Sequence, residues 1–170
     1  GALDSVKQSI QRGQSIVDVA LAAGETITKA LEEQKSLAVA IASSTGAAQT
    51  AYLADYNALG GEITKALAGA TFDGVNLFSN TTQQSVLTST SGATQNIGTG
   101  AAITVATTAT LSAPADATAA QAAITAVDTA ISGFTAELGK LGTQSKSMER
   151  QLTFVSKMQD SLEVGIGNLV

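Results

Sequence analysis

From Ile124 to Leu169, apolar residues recur at alternating intervals of three and four: Ile124, Val127, Ile131, Phe134, Leu138, Leu141, Met148, Leu152, Val155, Leu162, Ile166 and Leu169. Only Ser145 and Gln159 interrupt the series. A stripe sustained for more than six heptads marks a long helix that buries one seam against another helix. Unbroken, this helix spans roughly 70 Å. A compact globule built from a chain of this length is only about 30–35 Å across. The chain is therefore expected to form a rod, and the rod needs a partner helix.

Residues 3–41 supply one. Leu3, Val6, Ile10, Gly13, Val17, Ala20, Gly24, Ile27, Leu31, Gln34, Ala38 and Ile41 repeat the same alternation. Gly13, Ala20 and Gly24 make this seam unusually small. Glycine inside a helix costs up to about 1 kcal/mol relative to alanine. Close approach of a bulky neighbour would offset that cost, with Met148, Leu152 or Phe154 the expected neighbours. Ile16, Val19, Ala23, Ala30 and Leu37 widen the apolar face, so this helix is expected to touch two neighbours.

Ser43-Ser44-Thr45-Gly46 breaks the first helix. Tyr52, Tyr56, Leu59, Ile63 and Leu67 then mark a shorter helix returning antiparallel, with Gly60-Gly61 weakening its middle and Gly69 as its stop. Asp73-Gly74, set between Phe72 and Val75, is a tight-turn signal. Residues 79–113 are rich in Ser, Thr, Gly and Ala, with strand-like pieces at Ser85–Thr88 and Ala102–Thr107. Asn80-Thr81-Thr82 matches a glycosylation sequon and reads as a chance match in a Thr-rich stretch. Pro114 closes this insert. Asp116 and Thr118 are candidate N-caps, and Thr118 to Gln121 has the capping-box pattern. The expected fold is mainly α: an elongated antiparallel helical bundle of long helix, shorter helix, turn region and long C-terminal helix. The helical rod comprises 1–78 and 114–170. The β insert, 79–113, is expected at the end of the rod away from the chain ends.

Composition narrows the chemistry. The 170 residues suit one domain, and much of the 44% apolar content is Ala with only 4% aromatics, which favours thin helical layers. There is no Cys, His or Trp. Thiol catalysis, disulfides and structural zinc fall away with them. The net charge is −5 and no Lys/Arg cluster exists, against a nucleic-acid or anionic-membrane surface. No run of eighteen apolar residues exists to span a bilayer, and no cleavable signal peptide is evident. Nucleophilic catalysis needs a base beside a hydroxyl or thiol, and no such pairing is visible. Glu32-Glu33 point to different sides of a helix and read as a solvated face. Asp55 and Glu62, seven apart, can share a face but have no third ligand for a metal. The glycines at 92–100 lack the Gly-Lys-Ser/Thr of a phosphate loop. Tyr52 and Tyr56 read as core packing. No enzyme activity and no cofactor are expected.

The order of elements, together with Phe72-Asp73-Gly74-Val75-Asn76-Leu77-Phe78, resembles the bacterial flagellins. That family carries a Phe-(Asn/Asp)-Gly-x-Asn-Leu motif after the second helix of its core. Gly13-Gln14-Ser15-Ile16-Val17-Asp18-Val19-Ala20 resembles the first core helix of the alphaproteobacterial members, and Asn168-Leu169-Val170 their last. The resemblance covers nearly all of 3–78 and 116–170. It implies a structural subunit of the extracellular flagellar filament, exported unfolded without a cleaved signal through the flagellar type III channel. It implies contacts with further copies, an export chaperone and a cap protein. It also implies terminal segments beyond both ends of this sequence, in keeping with two stripes that run to the chain ends uncapped. The insert corresponds to the family's variable, outward-facing part. Residues expected on a subunit- or receptor-facing surface are Glu33, Lys35, Leu37, Phe72 and Asn76.

One departure stands out. Family members detected by Toll-like receptor 5 carry Gln-Arg-x-Arg-Glu-Leu-Ala-Val in the first helix. The matching stretch here is Glu32-Glu33-Gln34-Lys35-Ser36-Leu37-Ala38-Val39. Glu33 reverses a key positive charge, so weak or no activation of that receptor is expected. A flagellin-like hook–filament junction protein and a secreted helical adhesin or adaptor remain alternatives. The first differs in copy number and terminal segments, the second in binding a ligand as a monomer.

Overall fold

A computed structural model describes residues 1–103 and 117–169. Among these residues it contains α1 (Ala2–Ala42), α2 (Gly46–Gly69), β1 (Gln84–Leu87), β2 (Thr94–Ile97) and α3 (Ala117–Leu169). With 53 residues, α3 is about 80 Å long. The mainly α, antiparallel rod is as the sequence predicts.

The α1 seam is buried at every predicted position from Val6 to Ile41, and α1 packs along both α3 and α2. On α3, Val127, Phe134, Leu141, Met148 and Val155 are buried against it. Burying each Val, Leu, Ile, Phe or Met fully contributes about 1.5–3 kcal/mol, so this seam is the main stabilising term. Three cross-links fix an antiparallel register. Lys35 Nζ meets Asp128 at 2.7 Å, Asp18 accepts from Ser145 at 3.1 Å, and Asp4 accepts from Gln159.

The small seam residues do admit bulky neighbours: Met148 as expected, joined by Leu138 and Val86. A Cβ on Gly24 would lie 2.4 Å from Leu138 Cδ2. A Cβ on Gly13 would lie 2.7 Å from Val86 Cγ2 and 3.0 Å from Met148 Sδ. Phe154, by contrast, is 59% exposed. It is one of the few large apolar residues outside the three–four series, so the helix turns it away from the seam.

Local chemistry ends the helices. Gln49 donates to the carbonyls of Ile41 at 3.1 Å and Ser44 at 3.0 Å, closing α1. Ser43 and Ser44 hydroxyls donate to Val39 and Ile41 carbonyls in the same turn. These bonds satisfy carbonyls that lack a partner within the helix. Gln34, buried in the stripe, donates to the Tyr56 carbonyl at 3.1 Å and ties α1 to α2. Tyr56 is buried in the core, as expected, whereas Tyr52 is 38% exposed. Asp73-Gly74 forms the tight turn the sequence predicts. Phe72 and Val75 exchange two 2.9 Å backbone hydrogen bonds, and both central residues have positive φ, 50° and 76°.

The strands correct two expectations. The partner of β1 is Thr94–Ile97, in antiparallel register Gln84↔Ile97 to Leu87↔Thr94. The expected strand at Ala102–Thr107 falls mostly outside the described residues. The hairpin also lies along the shaft and not at its far end. Leu87 N–H donates to Ser9 Oγ at 2.9 Å, Val86 covers Gly13, and Gln144 exchanges hydrogen bonds of 2.8 and 2.9 Å with the Gly98 backbone. Val86 and Ile97 are buried there, because the glycine notch in α1 accepts an apolar strand face that solvent would otherwise meet. Thr118 already lies within α3, so it is not the cap; Pro114 and Asp116 lie outside the described residues.

Candidate assembly surface

The residues expected on a contact surface are distributed along the rod. Glu33 and Leu37 line a groove of about 670 Å³ between α1 and α2. Lys29, Glu32, Asp55 and Glu62 line the same groove, as do Ala58 and Leu59, so the adjacent Glu32 and Glu33 share it and do not fall on separate sides as expected. Asp55 and Glu62 do share a face, as their seven-residue spacing predicts. Lys35 leaves α1 on another side and pairs with Asp128 of α3. That pair is about half exposed at both partners, so it contributes on the order of 0–1 kcal/mol.

Phe72 lies much nearer the chain ends. Its turn is anchored by Arg12, whose Nε donates to Asp73 Oδ2 at 2.6 Å. Arg12 precedes Glu33 by 21 residues of the same helix, so the two places are about 30 Å apart. Phe72 is 38% exposed and available for contact.

Asn76 is not a surface residue. It is 8% exposed. Its Nδ2 donates to the carbonyls of Leu67 at 2.8 Å and Ala68 at 3.3 Å, and its Oδ1 accepts from Phe78 N–H at 2.9 Å. Asparagine is required here because its amide supplies donor and acceptor together. It closes the last turn of α2 and holds the 72–78 loop against it. The motif position is thus structural. Part of the signal was available in the sequence: an Asn in a turn bonds the backbone two residues on, as Asn76 does at Phe78.

At the end of α3 the stripe runs past Gly1, so its last members have no partner in α1. Leu162, Val164 and Ile166 are 54%, 63% and 63% exposed. The seam register places Gln159 beside Asp4, so the last turns of α3 run past the start of α1. Leu3, Met158, Leu162 and Ile166 border a shallow apolar hollow there. Among the described residues no cluster of three or more Asp, Glu, Cys or His could hold a metal ion. No described helix is long and apolar enough to cross a membrane.

An apolar-seamed rod, a Phe-Asp-Gly turn and a strand pair folded onto the shaft can be set beside known proteins. No protein-family model matches the sequence. The chain is similar to flagellin FljM of Caulobacter vibrioides, 42% identical over 180 aligned residues covering 100% of this chain and 64% of the relative. Flagellin FljK of the same organism is 42% identical over 176 residues, covering 99% of this chain and 63% of that protein. The chain belongs to the flagellin family. This flagellin chain spans just under two thirds of the length of these relatives. Its fold matches the crystal structure of Bacillus cereus flagellin with a TM-score of 0.75 at 24% identity, covering 86% of this chain and 88% of that one. The alphaproteobacterial character implied by Gly13–Ala20 agrees with the Caulobacter relatives.

Proposed function

We propose that this flagellin is a structural subunit of the bacterial flagellar filament, with no catalytic role. The supporting observation is a rod whose long apolar seam is closed between α1 and α3, in a chain that flagellin relatives match over 99–100% of its length at 42% identity. Repeated contacts between unlike faces generate an open helical array. The protein leaves the cell unfolded through the type III channel, served by an export chaperone, and is placed beneath a cap protein at the filament tip. The paired strands serve the rod. The test uses the chain extended to its natural termini, concentrated with salt and viewed by negative-stain electron microscopy. Helical filaments are the expected result; a persistent monomer under those conditions would refute the proposal.

Glu33 bears on recognition by the host. It is exposed at the rim of the α1–α2 groove, where a carboxylate repels the partner that an arginine would attract. Full-length protein is expected to activate Toll-like receptor 5 weakly or not at all in reporter cells. Glu33→Arg is expected to raise the response, and full potency of the unsubstituted protein would disprove the assignment.

A further inference from the structure

The α1–α2 groove carries four exposed carboxylates, Glu32, Glu33, Asp55 and Glu62. None of them forms an ion pair with a described cation; Lys29, the one cation that lines the groove, pairs with Glu25 at 3.7 Å, so carboxylates outnumber it four to one. The outer face of α3 carries the complement. Lys146, Arg150 and Lys157 are exposed and pair with no described carboxylate. At 100° per residue these three lie within about 40° of one another, a single basic stripe.

The spacing matches. Arg150 and Lys157 are seven residues apart, as are Asp55 and Glu62, so both pairs span about 10.5 Å along their helices. The two faces cannot meet within one chain. Met148 sits at Gly13, which places the basic stripe about 30 Å down the shaft from Glu33. A second copy shifted by that amount would bring them together, with Leu37, Ala58 and Leu59 beneath the charged pairs.

We propose that the acidic α1–α2 groove receives the basic outer face of α3 from a second copy, in a staggered head-to-tail contact. This rests on the filament-subunit reading and names the faces involved. The contact is between unlike surfaces, so it repeats without closing. It fixes the stagger because a slip by one turn misaligns both charge pairs. Being near the surface, it is screened over about 8–10 Å at physiological salt.

The experiment uses the full-length chain, with polymer measured by sedimentation and electron microscopy at low and high salt. Asp55→Lys/Glu62→Lys and Arg150→Glu/Lys157→Glu are each expected to reduce pelletable polymer about tenfold or more at low salt. All four substitutions in one chain are expected to restore most of it, with circular dichroism unchanged throughout. Filaments from the unsubstituted chain, joined with undiminished assembly of either pair or no rescue in the fourfold variant, would overturn the contact and leave the subunit reading standing. No filaments from the unsubstituted chain would overturn both.

Discussion

Phe134→Ala is expected to lower the unfolding free energy by about 3–5 kcal/mol. Phe134 is 3% exposed and its ring centroid lies 5.6 Å from that of Phe78, tilted by 47°. Such a tilted aromatic pair adds about 0.5–1.5 kcal/mol to the area it buries. The loss is not confined to the seam. Phe78 accepts a 2.7 Å hydrogen bond from Ile103 N–H through its carbonyl, and its own N–H is held by Asn76. Phe134 is therefore the floor on which the 72–78 loop and the chain near Ile103 rest. Urea unfolding should show a lower midpoint with an unchanged slope. Amide exchange should quicken at Phe78 and Ile103 beyond the global change. Uniform loss along α1 and α3, with no excess at those amides, would refute the local role.

The second large effect is expected at Met148, fully buried where α1, α3 and β1 meet. Met148→Ala should cost about 2–5 kcal/mol through lost burial and the cavity left behind. Its partner is Gly13, so the two sites should couple. Gly13→Ala alone forces a methyl toward Val86 and Met148. Overpacking costs about 1–3 kcal/mol, which outweighs the helix-propensity gain of up to about 1 kcal/mol. With Met148 already shortened, the Gly13 methyl fills part of the cavity. The double variant should be more stable than the sum of the two losses predicts, by about 0.5 kcal/mol or more. Strict additivity in thermal or urea unfolding would show that the two side chains do not share that space.

The long helices were legible because a period of 3.6 residues repeated over forty positions leaves little else for the chain to do. Gly13 and Gly24 announced close packing, since nothing else recovers their cost in a helix. Met148 at Gly13 was among the expected neighbours; the other residues that fill the notches were less legible. Leu138 is a member of the stripe, but the register that sets it over Gly24 depends on cross-chain contacts absent from any local window. Val86 reaches Gly13 across 73 positions of sequence. β2 was missed because Thr94-Gln95-Asn96-Ile97 shows a single apolar residue; its pairing is decided by Gln144, Ser147 and the flanking glycines. Of the expected contact residues, Glu33, Leu37 and Phe72 reach the surface or its grooves, whereas Asn76 is spent on capping α2. A polar side chain's destination depends on which backbone groups lie within reach, and that is settled only when α2 ends.

The two notches also govern what the shaft does under load. Gly13 and Gly24 are eleven residues apart, about three helical turns. Sliding α3 by one turn would set Leu138 over Ala20 or Thr28, where a side chain already occupies the space. The helices are thus keyed like a shaft in its hub. A pull or twist applied to one is passed to the other in shear, and a rod of this design stretches or turns as one piece.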